Sequence, residues 1–225
     1  MKSKHLFSSA VVVALLFAIG CQKDPSTSSL QDEYLVYTAS DTEADFGAIE
    51  TYYLPDSILL IGTQAVDGAG NKVPKYWNDA DALSLINTVA SEMNDRGYTR
   101  LEGAERNMAD VGFQLSYIEQ ISYFTGYSNP HWWWDYPYYW TPAYWGYWGG
   151  WYYPFAVYYS YTTGSLLVEM VDLGSEQGAD KKLKVLWNSY LSGLVGKSGP
   201  EINDAVEALE QAFEQSPYLK SRPLN

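Results

Sequence analysis

DVGFQLSYIEQI, residues 110 to 121, sets Val111, Phe113, Leu115 and Tyr117 against Gly112, Gln114 and Ser116. A period of two with the apolar residues on one side predicts a strand with one covered face. Downstream, residues 164 to 173 (GSLLVEMVDL) predict a second strand. Residues 182 to 191 (KLKVLWNSYL) predict a third, with Leu183, Val185 and Trp187 on one side. The turn SEQGADK between these two makes a β-hairpin the shortest connection. Glu119 and Glu169 are expected to face solvent from their strands.

Upstream, residues 34 to 38 (YLVYT), 48 to 54 (AIETYYL) and 58 to 66 (ILLIGTQAV) have the aromatic and β-branched content of strands. The segment DGAGNK closes the last of them with turn chemistry. Two stretches change period. Over residues 80 to 95, Leu83, Ile86, Val89, Ala90 and Met93 fall three or four apart. Asn78 or Asp79 stands ready as the cap, and Asp95, Arg96 and Gly97 form the exit. The second helix starts at Pro200, whose fixed φ suits a first turn, and runs to about Gln215. Its stripe is Ile202, Val206, Leu209 and Phe213, and Pro217 stops it. Two amphipathic helices for an antiparallel or mixed sheet predict a two-layer α+β domain. A β-sandwich, the alternative, would have to leave both helices outside its core.

The chain opens with Lys2 and Lys4, the run LFSSAVVVALLFAIG and the sole cysteine, Cys21. A short positive stretch and an apolar core of this length predict a signal peptide over residues 1 to 20 rather than a bilayer span, which needs about 20 apolar residues. AIGC resembles a bacterial lipobox, with Ala18 where Leu is commonest. Cys21 is then the lipidation site, and two or more acyl chains anchor the protein stably in a membrane. Cys21 as the last residue of an ordinary signal peptide is the alternative. Gln22, Lys23 and Asp24 look like the export tag of Bacteroidetes-type lipoproteins. The expected location is therefore the outer membrane, at the cell surface or on its periplasmic face. Residues 21 to 33 read as a flexible tether, 34 to 217 as one domain and 218 to 225 as a C-terminal tail.

Charge and composition exclude several function classes. The chain has 27 acidic and 14 basic residues, a formal charge of −13. Without residues 1 to 20 the basic count is 12 and the charge −15. Nucleic acid binding draws on clustered Lys and Arg, so no nucleic acid partner is expected. One cysteine allows no intrachain disulfide. Neither zinc spacing, a phosphate loop nor a G-x-S-x-G turn is present, so no cofactor, metal or catalytic residue is expected. Asp41, Glu43 and Asp45 offer at most a weak calcium loop. Pairing Glu119, Asp135, Glu169 or Asp172 for glycan hydrolysis is the less favoured alternative, because pairs are easily found among so many acids.

Residues 127 to 161 interrupt the strands at 110 and 164 with 19 aromatics in 35 positions, and Asp135 is their only formal charge. Neither a helical nor a strand period holds through this insertion, which Pro130, Pro137, Pro142 and Pro154 break. Three readings stand. It folds onto the domain with its polar tips in water, it self-associates as a disordered tract, or it makes a contact surface for a glycan, a membrane interface or an envelope protein. The binding platform on that last reading is Trp132, Trp133, Trp134, Trp140, Trp145, Trp148 and Trp151. A platform with one carboxylate points to binding rather than hydrolysis, and His131 reads as a local hydrogen-bonding residue.

The segments DFGAIETYYLPD (45 to 56), RGY (96 to 98), AD (109 to 110), TGSLLVEMVD (163 to 172), VLWNSYLSG (185 to 193) and EINDAVEALEQAFEQSP (201 to 217) carry a resemblance in their order and spacing. Over residues 34 to 217 the chain resembles the bacterial envelope lipoprotein family of Domain of Unknown Function 4136. That resemblance implies an envelope lipoprotein with an α+β fold, and supplies no catalytic residue. On these grounds the expected function is a noncatalytic envelope binding or scaffold module.

Overall fold

The alternating segment at 110 becomes the middle strand of a mixed sheet. The computed structural model describes residues 35–70, 72–119, 151–156, 163–174, 182–193 and 200–222. Along these run β1 (Leu35–Ser40), β2 (Thr51–Tyr53), β3 (Ile58–Val66), β4 (Lys72–Trp77), α1 (Ala80–Asp95), β5 (Thr99–Leu101), β6 (Val111–Ile118), β7 (Trp151–Tyr152), β8 (Ser165–Asp172), β9 (Leu183–Ser192) and α2 (Pro200–Glu214). The sheet order is β1-β9-β8-β6-β2-β5, with β3 pairing β6 and β4, and β7 pairing β9. β8 lies antiparallel between β6 and β9. β2 and β3 both run parallel to β6, β2 at its start and β3 at its end. The expected mixed sheet with two helices is therefore present, and both helices pack on it, which removes the sandwich alternative.

α1 begins where its cap dictates. The Asp79 carboxylate accepts from the N–H groups of Asp81 and Ala82 at 3.0 and 3.1 Å, and from the Trp77 indole N–H at 2.6 Å. The helix ends at Gly97, whose φ of 90° a side chain would strain, while the Tyr98 N–H reaches back to the Met93 carbonyl. Ala82, Leu85, Ile86, Val89, Ala90 and Met93 are its buried residues. Leu83, expected in the apolar stripe, is 39% exposed, and Leu85 takes the core position instead. In α2, Ile202, Leu209 and Phe213 are buried and Val206 partly so, with Ala205, Ala208 and Ala212 filling the close approach.

Three further expectations need correction. All eight residues of β6 are buried, so this strand has two covered faces, not one. Glu169, placed in solvent from the sequence, is wholly buried, and Glu119 is half-buried. In β9 the alternation breaks at a bulge: Val185 pairs Val171 and Trp187 pairs Met170, leaving Leu186 as the extra residue. Trp187 thus joins the helix-side core, which contains neither Leu183 nor Val185. Three strands escaped the sequence reading altogether: β4, β5 and β7. Finally, the residues after Pro217 do not simply trail away. Leu219 and Ser221 are buried, and Ser221 donates to the carbonyls of Arg96 and Ile49 at 3.0 and 2.8 Å.

Candidate functional site

Two places gather polar side chains, and they differ in kind. The first lies on the sheet face away from the helices. Register places Gln114 beside Glu169 and Glu169 beside Asn188, in a row across β6, β8 and β9. The next row sets Ser116 beside Leu167 and Leu167 beside Tyr190. Gln114 donates from its amide to Ser116 Oγ at 3.0 Å, Ser165 and Tyr190 share a hydroxyl contact of 2.9 Å, and the Tyr153 hydroxyl donates to Glu169. Every one of these strand side chains is at most 1% exposed. A carboxylate sealed among amides and hydroxyls is a hydrogen-bond hub for the strands around it. Its seat in the fold keeps it from a substrate in water.

The second place is a cleft of about 430 Å³ where the exit of α1 meets the C-terminal segment. Glu50, Thr51, Asp95, Arg96, Gly97, Thr99, Lys220, Ser221 and Arg222 line it. Its guanidinium groups are already engaged. Arg96 pairs with Glu92 and lies 5.0 Å over the Phe213 ring, and Arg222 pairs with Asp45. With both signs of charge on its walls, the cleft is a seam between elements rather than a field for one ligand class. Sequence reading missed it because Lys220, Ser221 and Arg222 fell in the segment taken as a tail. The one available signal was the apolar pair Tyr218 and Leu219 after Pro217.

The remaining candidates have local duties. Burial alone would push the Asp41 carboxyl up, but the Glu43 N–H and the Lys184 ammonium, 3.0 Å away, outweigh it and hold the pKa below its ordinary value. The hydrogen bond to Asp41 in turn raises Lys184. Asp45, exposed, is held low by its bond to Arg222. The imagined calcium loop of Asp41, Glu43 and Asp45 is thus divided between two ion pairs. Among the described residues no group of three or more His, Cys, Asp or Glu stands ready for a metal. Asp172 accepts from the Gly174 N–H at 2.9 Å. Trp187 donates to Ser216 Oγ at 2.9 Å and lies 5.2 Å from the Phe213 ring. Of the expected platform, Trp151 stands in β7, opposite Leu183. Trp132, Trp133, Trp134, Trp140, Trp145 and Trp148 lie outside the described residues, as do His131, Asp135 and the lipidation candidate Cys21.

A family model for a domain of unknown function, DUF4136, matches residues 36–218. The chain belongs to the DUF4136 family. A DUF4136 crystal structure from Bacteroides thetaiotaomicron is similar to it at 45% identity and a TM-score of 0.71, covering 84% of this chain and 98% of that one. A second solved structure, a PelC dodecamer from Paraburkholderia phytofirmans, matches at 12% identity and a TM-score of 0.39, over 84% of this chain and 99% of that one. No curated protein matches significantly. The matched span takes in both helices and the sheet from Val36 onward.

Proposed function

We propose that this DUF4136 protein is a noncatalytic envelope module, held in the outer membrane by acyl chains on Cys21, that binds or scaffolds other envelope components. The observation that carries the noncatalytic part is the commitment of two of the four acids that flank the aromatic stretch, Glu169 and Asp172, to the fold. Glu169 is buried beneath the Tyr153 hydroxyl, and Asp172 closes a turn. The signal-like run ending at Cys21 supports the anchor. Among the described residues no helix is long and apolar enough to cross a membrane.

The anchor is tested by intact-mass measurement of the membrane fraction, where a diacylglyceryl species beginning at Cys21 is expected and an unmodified soluble chain would reject it. Protease added to intact cells separates the faces: digestion means display at the surface, protection until the outer membrane is opened means the periplasmic side. The abundance of Trp and Tyr between residues 127 and 161 favours a glycan as the bound component, because flat rings stack on the apolar faces of sugars. Titrating Trp fluorescence with envelope and host-type glycans tests it. Saturable binding should disappear when Trp132, Trp133, Trp145 and Trp148 are changed to Ala with the melting midpoint kept. An unresponsive panel would leave scaffolding alone.

A further inference from the structure

We infer that the outer edge of β1 is a docking site for a cationic β-strand: an extended segment of a partner protein that alternates Lys or Arg with apolar residues and adds, antiparallel, to the sheet. β1 pairs with β9 on one side, and among the described residues no strand pairs with its other side. The bond from the Asp41 N–H to the Leu186 carbonyl sets the phase of this ladder. Residues 41, 39, 37 and 35 turn their backbone groups to β9, so Val36, Thr38 and Ser40 turn theirs outward. Their N–H and C=O groups stand along the edge at the spacing a further strand would match.

The other edges are guarded. β4 carries Lys72, Pro74 and Lys75, and β5 carries Arg100, which bonds the Leu54 carbonyl and Asp56. Charges and prolines of this kind discourage a foreign strand. β1, with the sequence LVYTAS, has neither, and its first residue, Leu35, is 60% exposed.

Charge selects the occupant. Val36, Thr38 and Ser40 lie on the helix side, opposite Leu191, Ser189 and Trp187, and α2 packs on β1 and β9 there. That helix holds five acidic residues and no basic one, and Asp204, Glu207, Glu210 and Glu214 are exposed. In an antiparallel strand the residues opposite Val36, Thr38 and Ser40 both bond β1 and project to this helix side, so lysine or arginine suits them. Their neighbours project beside Leu35, Tyr37 and Ala39, where apolar residues fit. A second copy is the poorer occupant, because joining two β1 edges would bring two acidic helices, on chains of formal charge −13, to the same face. Docking at β1 requires neither the acyl anchor nor a glycan.

The probe is a labelled peptide of about nine residues, Lys alternating with Val, titrated into the full-length protein and followed by fluorescence anisotropy. It should bind saturably, and its counterpart with Glu for Lys should bind at least about tenfold more weakly. Backbone methylation separates strand addition from charge attraction alone. N-methylation of the lysines, whose N–H groups face β1, should weaken binding about tenfold or more, whereas N-methylation of the valines, whose N–H groups face water, should leave it within about threefold. Thr38→Pro deletes an outward N–H of β1 and spares the ladder with β9, so it should weaken the unmethylated peptide about tenfold with the melting midpoint kept. Equal affinity for the Lys and Glu peptides, or lysine methylation without effect, would overturn the inference, and neither result depends on a variant's folding. A dimer of the full-length protein in sedimentation, lost in Thr38→Pro, would overturn it in favour of a second copy.

Discussion

At Asp110 one carboxylate oxygen accepts from the N–H groups of Glu50 and Thr51 and from the Thr51 hydroxyl, at 3.0, 2.9 and 2.9 Å. The same hydroxyl accepts from the Asp110 N–H at 3.1 Å, so two segments about sixty positions apart are locked at the start of β6. Asp110→Ala leaves these donors without their acceptor and should cost roughly 2–4 kcal/mol, since bonds to a charged group are the stronger kind. Urea unfolding measures it, and an unchanged midpoint would show that water replaces the carboxylate freely. Asp41 makes a prediction about pH. Its folded pKa lies below the ordinary 3.8, so its stabilisation is fully present above that value and is lost as the pH falls through the folded pKa. Lys184, raised above 10.5, sets the other limit, its contribution declining as the pH rises through its folded pKa. Asp41→Asn should therefore be less stable than the parent across the interval between these limits, and the difference should narrow below about pH 3.8. Melting midpoints at pH 7 and pH 3 test the sign, and a constant difference would remove the ion pair from the account.

The elements that were legible in the sequence are those whose signal is their own. Both helices and the strands at 111 and 183 announce themselves through neighbours three, four or two apart, and the strands at 35, 51, 58 and 165 through apolar, aromatic and β-branched content. β4 does not, because Pro74, Lys72 and Lys75 make KVPKYW look like a loop. Among the described residues this strand pairs with β3 alone, and at such an edge charge serves better than apolar content. β5 and β7, of three and two residues, are defined by their parallel partners rather than by any pattern. The polar rows were hidden for a related reason. A strand buried on both faces loses the contrast that marks one face as solvent, so Glu169 in SLLVEMVD reads as an outward acid. Helix phase also needs the structure: Leu83 and Leu85 are equally apolar, and it is Leu85 that packs into the core. Leu85→Ala, at a buried site, should cost about 2–5 kcal/mol, whereas Leu83→Ala should stay within about 0.5 kcal/mol. Chemical denaturation of the pair checks the phase, and comparable losses at both positions would mean that α1 is turned the other way.

At the scale of the molecule, chain order and spatial order part company, and the last residues hold together pieces that are distant in sequence. Ser216 accepts from Trp187 of β9, the Tyr218 ring lies tilted 5.5 Å from Phe46, and Leu219 enters the core. Ser221 then bonds the exit of α1 and the stretch before β2, while the Arg222 N–H bonds the Gly47 carbonyl at 3.1 Å. A boundary at 217, which helix patterning suggests, would cut through this junction, because capping signals report where a helix stops and not where packing stops. Ending the chain after Pro217 removes one fully buried leucine, worth about 2–5 kcal/mol, and four hydrogen bonds, made by the N–H groups of Leu219, Ser221 and Arg222 and by the Ser221 hydroxyl, of about 1 kcal/mol each. Domains of this size hold only about 5–15 kcal/mol in all, so the shortened chain should melt far earlier or fail to fold. Leu219→Ala in the full-length chain isolates the packing part and should recover about half of that loss. If the shortened protein keeps the parent's thermal midpoint, residues 218 to 222 are an ornament on a domain that closes without them, and the cleft beside Arg96 loses one of its walls at no cost to the fold.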